Sequence, residues 1–135
     1  MKALFIKCLR AILALVVFSS CSETFRTLDV TILNKRISER TDIETPEELI
    51  KVYYTAANKE VQLDRVITTA VRLDGNRYQV TLIDEHLEDD AQAAEKLVMT
   101  ASWNGRSWRV TDIKQSWKCV EGRGGHTDWG NMPCP

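Results

Sequence analysis

The chain is poor in several features that would have pointed to a function. It has only two histidines, His86 and His126, and no recognisable nucleophile motif accompanies them, which leaves little for general acid-base or thiol chemistry. Its unbroken apolar run, Ala11 to Phe18 (AILALVVF), is less than half of the ~20 residues needed to cross a bilayer core, so it is too short for a membrane-spanning helix. Neither charge sign dominates, with 18 Lys and Arg against 19 Asp and Glu. No basic stripe interleaved with aromatics appears, which argues against a nucleic-acid partner. Internal repeats and low-complexity linkers are absent as well. Glycine is scarce, and four of the six (Gly122, Gly124, Gly125, Gly130) lie in the last fourteen residues.

What is present begins with MKALFIKCLRAILALVVFSSCSE. Lys2, Lys7 and Arg10 make a basic leader, the apolar run follows, and small residues close it. That order describes a secretory signal over residues 1–20. Its removal leaves about 115 residues, the usual size of one domain, carrying a net charge of about −4 once the three leader cations are gone. The quartet Phe18-Ser19-Ser20-Cys21 resembles the lipobox of bacterial lipoproteins. Phe18 departs from it, because an aliphatic residue is usual there. The resemblance implies acylation of Cys21 as the new N-terminus, and Ser22 after it implies the outer membrane, facing the periplasm. Several acyl chains, at about 0.8 kcal/mol per buried methylene, would anchor the chain firmly. The rival reading is ordinary cleavage after Ser22, giving a soluble periplasmic or secreted protein.

Cysteine parity agrees with lipidation. Cys8 leaves with the signal, so Cys21, Cys119 and Cys134 remain, an odd number for an oxidising compartment. Acylating Cys21 leaves Cys119 and Cys134 to pair. Closing a loop of that length is worth about 3 kcal/mol, and it would pin a tail that otherwise frays. Two other readings of the tail CVEGRGGHTDWGNMPCP compete with a disulfide. Zinc bound by Cys119, His126, Asp128 and Cys134 would need a spacing that matches no short structural zinc pattern. A thiol enzyme built on the same residues would need a thiol that escapes oxidation. Neither a metal nor another cofactor is expected. The tail also resembles a Trp-x-Cys…Gly-Arg-Gly…His-x-Asp-aromatic…Cys ending on assorted proteobacterial envelope proteins. That resemblance implies an extracytoplasmic disulfide and no activity, and this sequence departs from it by an extra glycine before His126.

Between the ends the periodicity predicts a small α+β domain over residues 45–135, one helix on a four-stranded antiparallel sheet of two hairpins. Residues 21–44 read as a lipidated N-terminus and polar tether, with one short strand over Leu28, Val30 and Ile32, which alternate with Asp29, Thr31 and Leu33. Thr45-Pro46-Glu47-Glu48 reads as a capping box opening a helix to about Lys59. Gly75-Asn76 in a two-residue turn sets Leu73 opposite Tyr78 and Val71 opposite Val80. An Asn104-Gly105 turn sets Ala101 opposite Trp108 and Met99 opposite Val110. The element order resembles cystatin-like sheets, an analogy that carries no function. The acidic run DEHLEDDAQAAE reads as a solvated connection.

The sequence therefore predicts a non-enzymatic envelope module. It would be held to the membrane by acyl chains and would bind an envelope protein through Arg123, His126, Asp128 and Trp129. Alternatives are an inhibitor or immunity-type lipoprotein that blocks a lytic enzyme, and a small hydrolase using His86 or His126.

Overall fold

The computed structural model describes residues 22–57 and 65–135. Seven elements follow in order: β1 (Arg26–Leu28), α1 (Thr31–Ser38), α2 (Glu48–Ala56), β2 (Ile67–Asp74), β3 (Arg77–Asp84), β4 (Gln92–Trp103) and β5 (Trp108–Cys119). The fold is α+β, but with five antiparallel strands in one sheet, ordered β1-β5-β4-β3-β2, and two helices. The expected four-stranded sheet and single helix therefore fall short by β1, which covers only Leu28 of the short strand expected there, and by α1, which takes Ile32 of that strand into a helix.

Both missing elements lie in the stretch read as tether. Leu33 and Ile37 stand one helical turn apart, and each is buried in the core, while Asn34, Lys35 and Arg36 supply the polarity that masked them. Asp29 accepts a hydrogen bond from the Thr31 backbone N–H at the helix start. Lys35 and Arg36 suit the negative end of the helix dipole. In α2, Glu48 accepts from the backbone N–H groups of Glu44 and Thr45, which is half of the predicted capping box. No side-chain cap forms at the other half, and the helix starts at Glu48. Lys59, the expected end, lies outside the described residues.

The hairpins form where the turn residues placed them, with different registers. Asp74 pairs with Arg77 around Gly75-Asn76, but an irregularity between Arg72 and Asp74 shifts the rest by one residue, so Ala70 faces Val80 and Val71 faces Gln79. An odd shift moves side chains to the opposite face. Val71, expected inside, is 57% exposed. In the second hairpin Trp103 pairs with Trp108 and Ala101 with Val110. That even shift keeps Ala101 and Val110 inward, and past an irregularity between Thr100 and Ala101 Met99 faces Ile113, three residues beyond the expected Val110; all four are buried.

The helices cover one face of the sheet. Leu49, Ile50 and Val52 of α2 join Leu33 and Ile37 of α1 over Val80, Leu82, Leu97, Met99 and Ile113. The other face has no helix on it among the described residues. The free edge of β5 is occupied along its length, as a sheet edge needs to be if it is not to recruit another chain. Asn34 bridges the backbone of Val110, donating to its C=O and accepting from its N–H at 2.8 and 2.9 Å. β1 pairs with Ile113 to Gln115. Past that, the C-terminal tail takes over.

Candidate functional site

The tail folds back along the end of β5. Trp117 and Gly130 exchange backbone hydrogen bonds at 2.8 and 3.0 Å, and the Cys119 N–H donates to the His126 carbonyl. Cys119 and Cys134 are joined at 2.07 Å, across a separation of 15 residues. The disulfide thus fastens the last residues to the end of a core strand. Asn131 also donates its amide to the Phe25 carbonyl, tying the tail to the segment before β1. Glycine is required here for a specific reason. A Cβ on Gly125 would sit 2.9 Å from the Cys119 sulfur and 3.0 Å from the Pro135 ring, and one on Gly130 would meet the His126 ring at 3.1 Å. Gly125→Ala is therefore expected to cost about 1–3 kcal/mol of stability, the range for overpacking a filled site. A denaturant midpoint equal to the parent's would refute this.

The four residues expected to bind a partner stand in different surroundings. Nδ1 and Nε2 of His126 lie 2.8 and 2.9 Å from the carbonyl oxygens of Asp128 and Met132. The ring is therefore committed to the loop's own backbone. The Arg123 guanidinium donates to the Asp90 carbonyl and fastens the loop to the β3–β4 connection. Asp128 is exposed. Trp129 is half-buried between two lysines, with the Lys96 and Lys118 ammonium groups each 4.6 Å from its ring centroid, close enough for cation–π attraction.

Cys119, His126 and Cys134 do bring their ligand atoms within 4.8 Å of one another. Asp128, the fourth ligand of the zinc reading, is not in that group. Both sulfurs are consumed by the disulfide, and zinc binds thiolates. In the oxidised protein the trio is a by-product of the staple. The acidic connection holds Asp84 and Asp89 to nearby backbone N–H groups, of His86 and of Ala91 and Gln92 respectively. The bonds to Asp89 hold its carboxyl below the usual carboxylate range. His86 is exposed.

The other tryptophans fill the fold. Trp103 and Trp108 meet at a tilt of 51° with their ring centroids 5.3 Å apart, and Tyr78 meets Trp108 edge-on at 5.4 Å. Trp117 is buried and donates its indole N–H to the Met132 carbonyl.

A polar row at one end of the core is the feature sequence reasoning missed. Arg26 donates to Gln115, and Gln115 donates to the buried Glu95 carboxylate. The Arg26 guanidinium also lies 5.2 Å from the Trp117 ring centroid. Tyr53 and Tyr54 pack nearby, and burial, followed by the Glu95 charge, raises both phenols above their ordinary range. The signal was available: Glu95 shares the period-2 face of Leu97 and Met99, and Gln115 that of Ile113. Extending the pattern along β4 would have placed Glu95 inside, whereas the irregularity at Thr111 reverses the alternation of β5 after Val110 and hid Gln115. The row joins four elements (β1, β5, β4 and α2) and presents no nucleophile beside a base.

A solvent-open groove between the helices, lined by Arg36, Glu39, Arg40, Val52, Thr55 and Ala56, likewise gathers no catalytic set. No protein family, no curated protein and no solved structure matches the chain.

Proposed function

We propose that the protein is a lipoprotein of the Gram-negative envelope, a non-enzymatic α+β module anchored to the outer membrane through acylated Cys21. The observation that carries the reading is the pairing of Cys119 with Cys134. It suits an oxidising compartment and leaves Cys21 as the odd cysteine, at the end of a signal-like leader. The commitment of His126 and Arg123 to backbone carbonyls favours a structural loop over a reactive one. The module binds an envelope component rather than transforming one.

The test is the intact mass of protein purified from envelope membranes, with thiols alkylated before and after reduction. The expected result is a mass increment of acyl chains on Cys21, and two thiols that react only after reduction. An unacylated chain whose Cys119 and Cys134 alkylate without reduction would reject the proposal.

A further inference from the structure

We infer that the sheet face left uncovered by the helices rests on an anionic phospholipid surface, the one to which Cys21 is anchored. The inference deepens the lipoprotein reading and rests on it.

The chain enters the fold on this face. Glu23 is docked on this face. It accepts two hydrogen bonds from the Lys96 ammonium group, at 2.9 Å each, and one from the Ser116 hydroxyl at 2.7 Å. Lys96 and Ser116 are paired across β4 and β5 on the side opposite the core residues Leu97 and Gln115. Cys21 is two residues before Glu23, and two trans peptide steps of 3.8 Å allow at most about 7 to 8 Å between their Cα atoms. An acyl anchor on Cys21 therefore leaves almost no tether, and the surface it enters lies beside this face.

The face displays apolar and basic side chains together. Register places Ile67, Ile83, Lys96 and Ser116 in one row across it, and Thr69, Thr81, Val98 and Lys114 in the next. Ile67 and Val71 are 61% and 57% exposed on the β2 side. Apolar side chains this open, on the same face as lysines, suit the boundary between headgroups and acyl chains. Trp129 lies at the Lys96 and Lys118 end, and tryptophan favours that boundary for its apolar body and polar N–H.

The charge of the face is predominantly positive. Lys96, Lys114, Lys118, Arg77 and Arg109 point out from this face. Against them stand Glu23 on Lys96, Asp112 3.7 Å from Lys114, and Asp74 paired with Arg77. The face keeps an excess of positive charge although the chain without its leader is acidic. That polarity orients the module toward anionic lipid and turns its acidic remainder away.

The experiment uses the acylated full-length product in vesicles of phosphatidylcholine with phosphatidylglycerol. A nitroxide is placed at Thr69→Cys on the face or at Lys51→Cys on the exposed side of α2. Collision with an aqueous paramagnetic quencher is then measured, and the mass of Cys21 is determined on the same samples. Expected is strong protection at position 69 and none at 51. In the variant carrying Lys114→Gln and Lys118→Gln, the face-down state should weaken roughly 25-fold, at about fivefold per basic side chain near an anionic surface, while the acyl chains keep the protein on the vesicle. Equal quenching at both positions on an acylated protein overturns this inference and leaves the lipoprotein reading intact. Protection at 69 that survives the double substitution overturns the electrostatic orientation. An unacylated Cys21 overturns the lipoprotein reading and this inference together.

Discussion

Replacing Cys119 and Cys134 together by serine is expected to lower the melting temperature by roughly 10–15 °C. The bond closes a 15-residue separation, and releasing a loop of that size returns about 3 kcal/mol of chain entropy to the unfolded state. For a chain of this size each kcal/mol corresponds to about 4 °C or more. Scanning calorimetry of the parent with and without reductant should give the same displacement. The local consequence is specific. Without the bond, only the Trp117–Gly130 bridge and the hydrogen bonds to His126, Met132, Phe25 and Asp90 hold the tail, and the end of β5 opens first. The buried Trp117 ring should then show a red-shifted emission in the variant at temperatures where the rest of the sheet is intact. A variant that melts with the parent would mean that the backbone bridge and the His126 contacts fix the tail by themselves.

The second large effect is expected at Ile37. This residue is 1% exposed and belongs to the same core as Leu49 and Ile113. Ile37→Ala removes buried methyl and methylene groups and leaves a cavity, at a cost of about 2–5 kcal/mol. A tether residue would cost nothing, so the substitution separates the two descriptions of residues 21–44 without ambiguity. Ile32→Ala is the matched control, five residues earlier on the same helix but 64% exposed, and it should stay within about 0.5 kcal/mol of the parent. Urea denaturation of both variants provides the measurement. Equal midpoints for the two would show that α1 is not docked in solution.

These two sites mark what could and could not be read in advance. Turn chemistry is local, so Gly75-Asn76 and Asn104-Gly105 located both hairpins. Register is not local. It depends on bulges near Leu73 and Thr111, and on which residues the helices cover. An error of one residue therefore exchanged inside and outside in the first hairpin, whereas in the second an error of two was harmless as far as Val110 and the bulge reversed the alternation of β5 beyond it. The α1 segment was illegible because its apolar content is two buried residues in a polar run. Their meaning comes from a sheet edge and a second helix far along the chain.

The tail divides in the same way. Its composition alone determined that it would be a glycine-rich loop closed by two cysteines, because cysteine parity and spacing do not depend on the rest of the fold. Only the tertiary structure decided what that loop does with its side chains. Proximity turned His126 and Arg123 into fasteners for backbone carbonyls and set Trp129 between two lysines from neighbouring strands. It also placed Glu95 in the interior beside Gln115 and Arg26. A sequence fixes which groups are available. Which of them meet is decided by strand register and packing between distant segments, and those contacts leave no pattern in the local order of residues.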